Sequence, residues 1–80
     1  DFGNLGGVYS ALADLENKQG HPAEAVVFEQ GALKYSYQAG QPGDIAGSHN
    51  NLAGYLRRTG APAAQVLAHR LAAALIRYQT

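Results

Sequence analysis

The sequence has no cysteine, which excludes disulfides and thiolate metal sites. That absence says little about the compartment. Long apolar runs are missing too. None approaches the roughly 20 residues that span a bilayer, so no membrane partner is expected. Nothing at the start has the pattern of a secretory signal. The chain opens at Asp1 rather than Met, as expected of a segment excised from a longer protein. An excess of positive charge is lacking: six Lys and Arg offset six Asp and Glu. A nucleic-acid footprint needs far more basic charge than that, so no nucleic-acid partner is expected. Period-two alternation is absent, so no strand is expected. At 80 residues the chain is one small domain or a piece of a larger one, and a core of that size is marginal alone.

The charge that is present is unevenly spread. Residues 1–40 hold five acids (Asp1, Asp14, Glu16, Glu24, Glu29) and two bases (Lys18, Lys34), a balance of −3. Residues 41–80 hold one acid (Asp44) and four bases (Arg57, Arg58, Arg70, Arg77), a balance of +3. Such halves suit end-to-end electrostatic pairing.

Sliding the sequence by forty residues exposes an internal repeat. Gly3 matches Gly43, Gly7 matches Gly47, and Leu12-Ala13 matches Leu52-Ala53. Gly20 matches Gly60, Pro22-Ala23 matches Pro62-Ala63, Val26 matches Val66, and Ala32 matches Ala72. The matches fall at turns and small packing positions, which a repeated helix pair must keep. The expected organisation is a single domain over 1–80, with repeat one at 1–40 and repeat two at 41–80.

Each unit reads as two helices. Leu5, Val8, Tyr9, Leu12 and Leu15 follow helical spacing. Gly20 suits a left-handed cap, and Pro22 suits the first turn of the next helix. Ala25, Val26, Phe28, Ala32, Leu33 and Tyr35 line that second helix. The stretch AGQPGD from Ala39 to Asp44 breaks the chain. Ile45, Leu52, Tyr55 and Leu56 then mark a third helix, and Gly60-Ala61-Pro62 turns into a fourth. The spacing predicts helices near 4–19, 22–39, 43–59 and 62–78, in an all-α fold of two stacked antiparallel hairpins.

Catalytic and metal chemistry find no residue set. His21 and Glu24 lie three apart, but two ligands do not make a metal site. His21 reads as a turn residue before Pro22, His49 as partly buried, and His69 as exposed or at an interface. There is no HExxH, and the glycines at 3, 6 and 7 follow no strand. They read as a frayed or closely packed first helix. Ser48 and His49 are neighbours on a helix, so their side chains diverge. No enzyme, metal or cofactor is expected.

The framework of Leu12-Ala13, Gly20, Ala25 and Ala32-Leu33, repeated as Leu52-Ala53, Gly60 and Ala72, resembles the tetratricopeptide repeat family. The forty-residue period and the NNLA of Asn50 to Ala53 are most similar to its extended, kinesin-light-chain-like variety. The resemblance covers essentially the whole chain as two units and implies a fragment of a right-handed α-α superhelix. It also implies a protein–protein interaction module that takes a peptide or helix on its concave face. By position, that face receives Ser10, Asp14, Asn17 and Lys18 from unit one, and Asn50, Asn51, Gly54, Arg57 and Arg58 from unit two. Asparagine offers a donor and an acceptor to a peptide backbone, and arginine suits carboxylates. The plainer reading of Arg57 and Arg58 is a solvated surface. The family's carboxylate clamp needs Asn or Lys where Asp14 and Gly54 stand, so that clamp is not expected.

The alternative function is a helical assembly segment that stacks through its last helix, giving a homo-oligomer or adjoining further repeats. Leu67, Leu71, Ala74, Leu75 and Tyr78 form one apolar stripe, expected to close onto the preceding helix. Val66, Ala73 and Ile76 project from a different side and form the expected assembly face.

Overall fold

The computed structural model describes residues 1–79. Four helices follow one another: α1 (Phe2–Lys18), α2 (Pro22–Ala39), α3 (Pro42–Thr59) and α4 (Ala63–Gln79). No strand occurs among the described residues. Each helix packs on the next in chain order, which gives two helical hairpins joined through α2 and α3. The molecule is a slab of 31 × 27 × 14 Å.

Glycine and proline set the joints. Gly20 and Gly60 sit in the left-handed region, at φ 83° and 79°. At the first joint the Gly20 amide donates to the Asn17 carbonyl (3.1 Å), and the His21 amide donates to that of Glu16 (2.9 Å). At the third, Gly60 donates to Arg57 (3.2 Å) and Ala61 donates to Leu56 (3.1 Å). These paired bonds satisfy carbonyls that the helix end leaves orphaned. The middle joint does the same with Gly40 (φ 67°), before Pro42 opens α3. α1 begins two residues earlier than its spacing predicts. The Asp1 carboxylate accepts from the Asn4 amide at 2.9 Å and caps the first turn. Of the clustered glycines, Gly6 is buried: a Cβ there would lie 3.4 Å from the Ala32 carbonyl oxygen.

The core is built around small side chains. Ala13, Ala25, Ala32, Ala46, Ala53 and Ala73 are all fully or almost fully buried, so the helix axes approach closely where they lie. A central cluster joins Ala13 of α1, Ala25 and Val26 of α2, and Leu52, Tyr55 and Leu56 of α3, with Val66 of α4 packed beside it. The aromatic rings of Tyr9, Phe28 and Tyr35 fill a second layer between α1 and α2, with Tyr9 and Tyr35 stacked at 5.5 Å.

Two expected apolar faces are corrected. On α4, Ala73 is buried and Val66 and Ile76 are half-buried, while Leu67, Leu71, Leu75 and Tyr78 face solvent. The expected assembly residues Val66, Ala73 and Ile76 therefore lie on or beside the packed side. On α1, Gly6 and Ala13 are buried and Leu5, Val8, Leu12 and Leu15 are exposed. The physical reason is the same in both helices. More than one face is apolar, and helices that cross closely select the face with the smallest side chains.

Candidate partner-binding face

α1 and α3 lie side by side, and polar side chains tie them together. Glu29 reaches from α2 between them and is fully buried. Its carboxylate accepts from the Ser10 hydroxyl of α1 (2.8 Å) and, more weakly, from the Asn51 amide of α3 (3.5 Å). Two turns further on, Arg58 donates to the side-chain amide oxygen of Asn17 at 3.0 Å, a direct link from α3 to α1. Tyr55 lies beneath this face. Burial raises its pKa, the negative charges of Glu29 and Asp14 raise it further, and Arg58 partly offsets them.

The residues singled out in the sequence fall into three groups. Asn51 and Arg58 join Ser10 and Asn17 in the network across α1 and α3. Asp14 and Lys18 pair with each other on the exposed side of α1 at 2.9 Å, so their charges largely cancel locally. Asn50 is half-buried, and Arg57 points to the α4 side of the same helix. There Arg57, Arg58 and Arg70 surround Gly54 in a notch of about 460 Å³. A Cβ at Gly54 would meet nothing within 4 Å, so the notch stands open above it. Next to it, Ala61, Ala63, Val66 and Leu67 line an apolar pocket that shares Arg57 and Arg70.

Three features were not legible as site residues in the sequence. Arg70 reads only as a solvated charge, because a single sequence does not reveal that it faces Arg57. Glu29 and His69 stand at the same position of the two repeats, and polar residues recurring at an inward position were the available signal. His69 meets His49 with 2.9 Å between their Nδ1 atoms, and Tyr37 Oη lies 3.1 Å from His49 Nε2. Burial lowers the pKa of His49, and the nearby charge of His69 lowers it again. His21 sits in the turn before Pro22, bonded to Glu16 at 2.8 Å.

Among the described residues no cluster of three or more His, Cys, Asp or Glu could hold a metal ion. No helix among them is long and apolar enough to cross a membrane. What fold and face define together is an all-α protein of helical hairpins with one polar face across α1 and α3. Comparisons with family models, with curated proteins and with solved structures found no significant match.

Proposed function

We propose that this chain is a protein–protein interaction module of the tetratricopeptide-repeat type, holding a partner's peptide or helix across α1 and α3. The observation that carries this reading is the continuous polar face fixed by the Ser10–Glu29–Asn51 and Asn17–Arg58 bonds. A face whose side chains are already held by neighbours loses less rotamer freedom on binding. Open space above Gly54 admits a backbone, and Asn50 and Asn51 supply donors and acceptors beside it. The cluster of Arg57, Arg58 and Arg70 selects for an acidic segment.

Binding of a labelled peptide of alternating Leu and Glu, followed by fluorescence anisotropy, tests the reading. Arg57→Ala with Arg58→Ala should weaken it. Exposed charge contacts contribute about 0.2–1 kcal/mol each, so the double variant should lose roughly two- to thirtyfold in affinity. Added salt should produce a similar loss in the unaltered chain. Equal affinity of wild type and double variant at low salt would reduce these arginines to ordinary surface.

A further inference from the structure

The forty-residue repeat makes the α2–α3 junction a template for a contact that both ends of the molecule can make. On α3, Ile45, Ser48, Leu52 and Tyr55 are at most 8 % exposed. Their counterparts forty residues earlier are Leu5, Val8, Leu12 and Leu15 of α1, and these are 38–57 % exposed. The same four positions are thus apolar or small in both units, covered in one and bare in the other. The opposite end shows the matching vacancy. Val26 of α2 is buried in the cluster that Leu52, Tyr55 and Leu56 complete. Its counterpart Val66 of α4 instead lines the open apolar pocket.

From this we infer that the chain stacks head to tail on a second copy of itself, with α1 of one copy seated on α4 of the other as α3 sits on α2. Leu12 and Leu15 of the second copy then cover Val66. The net charges of the two units agree with the same register. Gly54 lies on α3 between Asn51, which reaches Glu29, and Arg58, which reaches Asn17. Asp14, at the counterpart position on the incoming α1, would therefore lie between His69 and Arg57, over the notch lined by Arg57, Arg58 and Arg70, with Lys18, the counterpart of Arg58, brought beside Arg57 and tied to Asp14 at 2.9 Å. The −3 unit of one copy meets the +3 unit of the next. A head-to-tail contact of this kind does not close at two copies, so the assembly grows with concentration. The contact shares the notch of Arg57, Arg58 and Arg70 with the partner-binding face proposed above, so self-stacking and an acidic partner compete there, while the apolar seat of α1 on α4 stands without that reading.

Sedimentation equilibrium over a micromolar to millimolar range tests it, with one variant for each end. Leu12→Lys changes an exposed residue of α1, and Gln65→Arg changes an exposed residue of α4 whose counterpart, Ala25, is fully buried in the cluster that includes Leu52 and Tyr55 of α3. Both positions face solvent in the single chain, and circular dichroism confirms that each variant folds. The unaltered chain should grow beyond a dimer, and each variant alone should stay at 8.4 kDa. An equimolar mixture of the two should form a dimer of twice that mass, because each variant retains the end the other lacks. A wild-type chain that remains monomeric throughout overturns the inference. So does a mixture of the variants that remains monomeric, because intact opposite ends would then fail to meet.

Discussion

His49 shows how one buried titratable side chain couples stability to pH. It is held between Tyr37 Oη and His69 Nδ1, and both contacts can be satisfied by a neutral imidazole. One of the two facing Nδ1 atoms must accept, so the contact is lost when both rings are imidazolium and both Nδ1 atoms carry hydrogen. Burial, and then the charge on His69, hold the His49 pKa below its ordinary value. In the unfolded chain that value returns to about 6.5, so the unfolded state binds the proton more readily. The His49 contribution is therefore present above the unfolded pKa and is lost as pH falls through the lower, folded one. Urea unfolding between about pH 8 and about pH 5.5, above most carboxylate pKa values, should show stability declining on the acid side. The slope should shrink in His69→Gln, which removes the second cause and leaves the first. A flat profile for the unaltered chain over that window would show that His49 is accessible to solvent when folded.

At the scale of the helix, backbone conformation decides what a glycine contributes. Gly47 lies inside α3, and an added Cβ there would meet nothing within 4 Å. Gly47→Ala should therefore stabilise by about 0.5–1 kcal/mol through helix propensity. Gly60 also has open space around it, but its φ is +79°. Gly60→Ala should cost roughly 1–2 kcal/mol for the left-handed conformation. Thermal unfolding midpoints should move in opposite directions, by several degrees each for a domain of this size. Two shifts of the same sign would mean that contacts, and not backbone preference, control these positions. The joints were legible in the sequence for this reason: Gly20 and Pro22, and then Gly60 and Pro62, have local causes that need no tertiary knowledge. The packed faces were not. On α4, Leu71 and Ala73 are both apolar, and hydrophobicity favours the larger one as the buried one. Close crossing favours the smaller, and crossing distance is a property of two helices, not one. The site was legible to the same limited degree. Asn51 and Arg58 could be placed on a shared face with α1 by position, but Glu29, which ties that face together, reads in isolation as an exposed acid.

For the whole molecule, thinness is the governing property. A slab 14 Å deep in its shortest direction has little interior, and most of its large aliphatic side chains lie at the surface. Stability in such a stack is approximately the sum of hairpin terms and nearest-neighbour interface terms. The chain has one interface between hairpins, α2 on α3, for two hairpins. Two copies joined in a single chain would have three interfaces for four hairpins if α4 of the first copy receives α1 of the second. The free energy of unfolding should then more than double. Covering Leu12 and Leu15, now about half exposed, would add on the order of 1 kcal/mol each. The fusion should carry Thr80→Gly at the junction, because Gly40 occupies the corresponding joint between the first two units at φ 67°. Denaturant unfolding should then give a higher midpoint for the fusion than for the single chain, at a concentration where the single chain is monomeric. Leu12→Lys in the second half alone should abolish the difference, because it removes the new interface, and the same substitution in the single chain measures what Leu12 contributes within its own copy. If the fusion unfolds at the midpoint of the single chain, its halves behave as beads on a string, and the bare leucines of α1 are surface that α4 does not recognise.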